Sequence, residues 1–413
     1  MTADLDLVAE RLTYDIIAEI GERNVSCYVA AGATIDYGVR SPDARMTATT
    51  FYGELIWNLP PGQYPPIVFP GQKQQGYTDP YDDLWGASTT IQVGDQITIR
   101  TASRIIGGQG GFTDPYSDLW GGWGDFQSLR FTGYITAITY TDGRIAVTGV
   151  SSQELWARAE IDVAGWPQED EADRVQRIAD TVGMTINVET GGAGPTLAAY
   201  STTTDSDGNV RPQTVSPWRE LQNTADSCRA SIWIDRNGDI QYRAFDAPDG
   251  PTRYMPCKAT LRESLALEME VGRVVNTARV RYGDDNLTGQ YRDDESVTTY
   301  GERVANYTTI LADEAQAQVF AESKLAALRH TEWLAEPVDI HIDAALYYGG
   351  TNYVNEILDA DIDDVAVVGP LPATSPMTEY TGRIIGIRET LDPTDWIVRF
   401  YLDPNGIRRK TND

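Results

Sequence analysis

The chain has 413 residues, 41% of them hydrophobic and 23% charged, a length that calls for two or three domains rather than one. Its 61 Asp and Glu against 33 Lys and Arg leave a formal charge of -28. Phosphate binding is driven by Lys and Arg releasing counterions, so this composition excludes a protein that grips nucleic acid and describes one that repels it. The 37 Gly, 22 Tyr and 10 Trp, against 6 Met and 8 Phe, favour turn-rich β structure over helical bundles.

In chain order, the first strong strand pattern is IQVGDQITIR at 91–100, where period two sets Ile97 and Ile99 on one face and Thr98 and Arg100 on the other. On either side of it stand two near-identical stretches, GYTDPYDDLWG at 76–86 and GFTDPYSDLWG at 111–121. Pro80 and Pro115 suit turns and the bounding glycines mark both copies as loops, projecting from one side of the first β unit. Exposed Trp and Tyr are costly without a partner, so Tyr77, Asp79, Tyr81, Leu84 and Trp85, with Phe112, Asp114, Tyr116, Leu119 and Trp120, are the candidate interaction residues. Three readings stand for these loops: packing on each other and on neighbouring proteins, a metal held by Asp79, Asp82 and Asp83, or contact with a surface sugar or lipid. Ser117 in place of Asp82 weakens the second.

A hairpin follows at 131–149, FTGYITAITYTDGRIAVTG, with Asp142-Gly143 as its turn. Residues 170–182 set Val175, Ile178, Ala179 and Val182 on one helical stripe, stopped by Gly183. The loop DSDGN at 205–209 hints at calcium but lacks the spacing and closing Glu of an EF-hand, so a turn is expected. Ser216-Pro217 reads as a helix start, with Trp218, Leu221, Ala225 and Cys228 on the buried face. Asn237-Gly238 between alternating residues predicts a second hairpin. A third helix is expected at about 313–329, capped by Asp313 with Gln316 three residues on, and with Ala317, Phe320, Ala321, Leu325 and Leu328 as its apolar stripe. Residues 358–368 and 380–402 then read as a strand and a hairpin. The latter, YTGRIIGIRETLD followed by WIVRFYL, repeats the aromatic-Thr-Gly-x-Ile-x-small-Ile pattern of 131–138. Because the order of elements matches as well as the motif, the pattern predicts a β unit duplicated at the two ends of the chain.

Catalytic signatures are absent. His330 and His341 are the only histidines; one ends a predicted helix and the other sits in an alternating strand, so both are read as structural. There is no GxSxG, no P-loop and no GxGxxG between strand and helix, and GGQGG at 107–111 reads as a flexible loop. Cys27, Cys228 and Cys257 are far apart, odd in number and outside any CxxC, which argues against a disulfide framework or a zinc site. No apolar run approaches the ~20 residues of a bilayer span. The acidic start MTADLD lacks the order of a secretory signal, so a soluble protein made in a reducing compartment is expected. No enzyme, cofactor or resident metal is expected.

The order of elements resembles the hub proteins of phage tails, a family that includes baseplate hubs, late control protein D and minor tail proteins of long-tailed phages. Four stretches carry the resemblance: TATTFYGELIWNL at 47–59; VGDQITIR at 93–100 followed by FTGYI at 131–135; WRELQNTA at 218–225 with the Asn237-Gly238 hairpin; and VNTARVRYG at 275–283, then TYGER at 299–303 and the helix near 313–329. The TDPYxDLWG loops fall outside the family pattern. The resemblance implies a mainly β fold with an α+β middle domain: a first tail-tube-like β-barrel at 1–160 with the loops inserted at about 60–126, a small α+β domain at 161–270, and a second, similar β-barrel at 271–413. It implies a structural virion protein, a homotrimer at the tail tip or baseplate. Two barrels per chain would there imitate six-fold symmetry, joining the tail tube or a distal tail protein to the distal tip. The tape measure protein and other tail-tip proteins would be partners, and DNA would pass without specific binding at ejection. No hydrolase domain or fibre segment is expected beyond residue 413. Synthesis is expected in the host bacterial cytoplasm. The rival reading, from Trp, Tyr and Asp richness, is a carbohydrate-binding protein or glycoside hydrolase acting on the host surface.

Overall fold

The computed structural model describes residues 11–20, 23–24, 33–40, 46–56, 93–106, 127–141, 144–192, 194–202, 204, 206, 210–260, 265–283, 287–392 and 395–404. The two TDPYxDLWG stretches, Cys27 and nearly all of the 205–209 loop lie outside the described residues.

The described residues of the N-terminal part form seven strands: β1 (Arg11–Ile20), β2 (Arg23–Asn24), β3 (Ala33–Gly38), β4 (Thr50–Ile56), β5 (Gln96–Ile106), β6 (Gln127–Thr141) and β7 (Arg144–Val150). As the period-two pattern predicts, Ile97 and Ile99 are buried while Thr98 and Arg100 are not. Phe51 and Phe131 stack at 5.8 Å beneath β4 and β6. A short helix, α1 (Gln153–Arg158), leads out of this unit.

Next comes an α+β unit. Its strands are β8 (Ile161–Asp162), β9 (Glu169–Asp170), β10 (Ile186–Glu189), β11 (Thr196–Leu197), β12 (Thr214–Val215), β13 (Ser231–Ile234) and β14 (Ile240–Arg243); its helices are α2 (Glu171–Val182) and α3 (Pro217–Cys228). The start of α3 forms as its sequence requires, with the Ser216 hydroxyl accepting from the Arg219 amide at 3.2 Å and Pro217 in the first turn. Trp218, Leu221, Ala225 and Cys228 are all buried. Gly183 ends α2 with φ +69°, a left-handed cap that suits glycine. The Asn237-Gly238 turn joins β13 to β14 in antiparallel register, and β10 adds to β14 in parallel.

Beyond β15 (Thr252–Pro256) and β16 (Leu267–Met269) lies a third layer: β17 (Thr277–Tyr282), β18 (Leu287–Arg292), α4 (Asp294–Tyr300), β19 (Val304–Thr308) and α5 (Glu314–Leu328). Asp313 caps α5 by accepting from the Gln316 amide at 2.9 Å. The reciprocal half of a capping box is not made, because the Gln316 side chain accepts instead from the Thr196 amide at 2.9 Å in the α+β unit. Ala317, Phe320, Ala321 and Leu325 are buried against β17 and Leu328 is half-buried.

The chain ends with β20 (Trp333–Ala335), β21 (Val338–His341), α6 (Ile342–Leu358), β22 (Val365–Gly369), β23 (Tyr380–Asp392) and β24 (Asp395–Asp403). One expectation needs correction here. The single strand expected at 358–368 is the end of α6, a turn and the five-residue β22. The acidic run between them folds on itself, Asp361 Oδ1 accepting from the Ile362 amide at 2.8 Å and Asp364 Oδ2 from the Asp361 amide at 3.1 Å, which pre-empts strand pairing. Strand pairing also links segments far apart in the chain. β15 pairs in parallel with β22, whereas β17 to β19 form a sheet of their own. Parallel pairing after a long crossover leaves no local signature.

The mainly β expectation holds. β1 to β7, β15 and β21 to β24 form one twelve-stranded sheet in which β3 pairs with β23, fusing the two ends of the chain. The two motif-bearing hairpins, β6–β7 and β23–β24, share a detail finer than the motif. Each has a bulge at the same place, between Ile135 and Ala137 in one and between Ile384 and Gly386 in the other. In both, the bulge switches which side chains face the core. Phe131 and Ile135 are buried before the first, and Ile138 packs on the core after it; Tyr380 and Ile384 are buried before the second, and Ile387 and Leu391 after it.

Candidate assembly framework

Where the two β units meet, the approach is close. A Cβ on Gly386 would lie 2.0 Å from the Val39 carbonyl oxygen, and one on Gly38 would lie 2.3 Å from that of Ile385. Gly38 also has φ +67°, so both positions need glycine. Beneath this crossing lies a fully buried ion pair, Arg130 of β6 with Glu389 of β23. The Arg130 Nε donates to Glu389 Oε2 at 2.8 Å, its Nη1 donates to the Leu358 carbonyl at 2.7 Å and to Ser128 Oγ at 2.9 Å, and the guanidinium sits 5.4 Å from the Trp396 ring centre. Burial by itself lowers the pKa of Arg130, but the adjoining Glu389 carboxylate more than reverses this, so the group stays charged. Tyr37 is buried beside them, its hydroxyl pushed far up by burial and then by Glu389.

Arg130 and Glu389 escape the sequence reading for one reason. Arg130 is the extra residue of a second bulge in β6, opposite Ile99 and Arg100, which turns it inward alongside Phe131. Glu389 faces inward because the bulge after Ile384 reverses the phase of β23. Period two carried on from Phe131 and from Tyr380 places both on the solvent side.

The α+β unit has its own buried charge centre. Arg174 on α2 is fully buried, donating to Glu169 at 2.5 Å, to Glu220 at 3.2 Å and to the Ala198 carbonyl at 2.9 Å. The Tyr200 hydroxyl donates to Glu220 at 2.7 Å, and burial raises the pKa of both Tyr200 and Glu220. Chemically these clusters are cross-links, since each charge is spent on a fixed partner. Among the described residues no group of three or more His, Cys, Asp or Glu is placed to hold a metal ion. His341 is a strand residue, with Nδ1 2.9 Å from Asp395 Oδ1, and His330 is an exposed residue just past α5. Cys228 is buried in the core, and burial pushes its thiol pKa well up, which makes it a poor nucleophile.

No family model matches the sequence, and no curated protein matches it. Among solved structures, the 43 kDa tail protein of prophage MuSo2 from Shewanella oneidensis superposes with a TM-score of 0.53 at 10% identity, over 95% of this chain and 99% of that one. A tail protein from Neisseria meningitidis gives 0.54 at 12% identity, over 94% of this chain and 96% of the other. The fold is that of these tail proteins.

The candidate interaction residues Tyr77, Asp79, Tyr81, Leu84, Trp85, Phe112, Asp114, Tyr116, Leu119 and Trp120 lie outside the described residues. Some of the exposed apolar surface among the described residues lies on helices. Tyr347 and Tyr348 of α6 are 72% and 42% exposed and meet edge to face at 5.0 Å. Val319 of α5 is 67% exposed and lines a groove of about 510 Å³ with Phe245 and Phe320. Among the described residues, no helix is long and apolar enough to cross a membrane.

Proposed function

We propose that the chain is a structural protein of a phage virion, the homotrimeric hub of the tail tip or baseplate. It joins the tail tube or a distal tail protein to the distal tip, meets the tape measure protein and other tail-tip proteins, and bounds part of the channel through which DNA is ejected. The observation that carries this reading is the pair of hairpins with matching bulges, one from each half of the chain, joined in one sheet. Three chains with two like β units each offer six like positions around an axis, which lets a trimer dock on a six-fold tube without a wholly new interface. The fold shared with these two tail proteins over nearly the full chain supports it. The charge of -28 per chain supports it too, because carboxylates lining a bore repel phosphate and keep the passing DNA from sticking.

In this reading the protein is made in the host cytoplasm and is not an enzyme. The two β units correspond to 1–160 and 271–413, with the α+β unit at 161–270 between them. The TDPYxDLWG loops pack against each other and against neighbouring tail proteins, with Trp85 and Trp120 as anchors.

The deciding experiment is the native mass of the purified protein together with negative-stain images. Three chains per particle and ring-shaped views are expected. A monomer that releases reducing sugar from cell walls would overturn the hub and install a glycoside hydrolase in its place. For the loops, Trp85→Ala with Trp120→Ala is expected to lower incorporation into particles while the isolated protein keeps its circular dichroism spectrum. Normal assembly with lost adsorption would assign the loops to the cell surface instead.

A further inference from the structure

The α+β unit is attached to its two neighbours by different kinds of bond. Toward the third layer the joint is backbone and apolar. The Ala198 amide donates to the Ile310 carbonyl at 2.8 Å, the Ala312 amide donates to the Thr196 carbonyl at 3.0 Å, and the Ile310 amide donates to Ser227 Oγ at 3.0 Å. Leu197 and Cys228 are buried in one cluster with Val280, Leu311 and Phe320 of that layer.

Toward the twelve-stranded sheet the joint is made by side chains and centres on the turn between α6 and β22. Asp363 has φ +74° and a fully buried carboxylate. It accepts from Ser231 Oγ at 2.5 Å and from Arg243 Nη1 at 2.8 Å, both in the α+β unit, and from Arg383 of β23. Arg236 Nη2 donates to the Ala360 carbonyl at 2.6 Å, and the Gln222 side chain donates to the Met46 carbonyl at 2.8 Å. Apolar contact is made by Trp233, buried in the core of the large sheet, and by Met46, which packs against both cores. Beside Asp363 the seam holds a partly open pocket of about 140 Å³, bordered by Met46, Ser231, Ile362 and Arg383.

We propose that this seam is the hinge of the molecule: the α+β unit and the third layer move as one body against the twelve-stranded sheet, and Asp363 is the latch that holds them shut. Side-chain pairs beside a pocket open at lower cost than backbone pairs over a packed cluster, because water can take over each charge as it is released. A residue held at positive φ, with one carboxylate satisfying groups from both bodies, is a bistable contact: it is either fully made or lost.

The test is amide hydrogen exchange on the full-length protein, comparing wild type with Asp363→Asn and with the milder Arg243→Gln. Both variants are expected to speed exchange about tenfold at the amides of 231–243 and 360–364, since each removes a buried ion pair that crosses the seam. The amides of Ala198, Ala312 and Ile310, and those of β6 and β7, are expected to keep their wild-type rates. An unchanged seam in the milder variant overturns the latch. Exchange that rises together at Ala198 and Ala312 overturns the two-body division, and a uniform rise across β6 and β7 in both variants means that Asp363 only stabilises the whole fold.

Discussion

At the scale of single residues, the buried ion pairs fix geometry more than they add net stability. Arg130 and Glu389 are both fully inaccessible, so removing one leaves the other charged and dry. Arg130→Met alone and Glu389→Leu alone are each expected to cost about 3–5 kcal/mol, and the double variant much less than their sum. Urea titrations of the four proteins measure this, and additive losses would show that the two side chains act independently. The cap of α4 gives a prediction in pH. Asp293 accepts from the Ser296 amide at 2.8 Å and from Arg329 at 3.0 Å, and these hold its carboxyl below the usual range. A carboxylate with a lowered folded pKa stabilises above its unfolded pKa and loses that contribution as the pH falls through the folded value. Asp293→Ala is therefore expected to cost about 1 kcal/mol at neutral pH. The gap to wild type is expected to close in strong acid, and a gap that persists there would assign the effect to packing.

Among elements, the matched bulges matter most. Each reverses the inside-outside phase of a long strand, so one strand can line the core on both sides of a bend. The β3–β23 joint depends on the second of them, since Gly386 follows the bulge directly and leaves no room for a side chain against Val39. Gly386→Ala is expected to destabilise by about 1–3 kcal/mol, read as a lowered melting temperature. Gly183→Ala, at a left-handed cap with open space around the Cβ, tests backbone conformation without a clash. If Gly386→Ala costs no more than Gly183→Ala, the close approach is not what constrains the joint.

Taken whole, the molecule is one large sheet carrying a two-layer attachment, and the hub reading makes its charge a matter of placement. Reconstruction of the assembled trimer is expected to show an acidic bore. A neutral or basic bore with the carboxylates outside would end the idea that the wall repels DNA, leaving the acidity to serve solubility. The fusion of the two ends through β3 and β23 also explains why removal of residues from 380 onward is expected to unfold the N-terminal strands, not only the C-terminal ones. Limited proteolysis of that truncation, with protection sought at β5 to β7, is the check.

The sequence alone determined what repeats at short range. Period two set Ile97 and Ile99 inward, Ser216-Pro217 opened α3, Asn237-Gly238 turned the hairpin, and the copied aromatic-Thr-Gly motif marked two equivalent strands. Tertiary structure alone decided what depends on contact between distant segments: the β3–β23 joint, the parallel β15–β22 pair, the separate sheet of β17 to β19, and the partners of Arg130 and Asp363. The physical reason is the same throughout. Propensity and periodicity act over one or two turns of chain, whereas a bulge reverses a pattern at a single residue, and a buried charge is tolerated only once its partner has arrived from elsewhere in the fold.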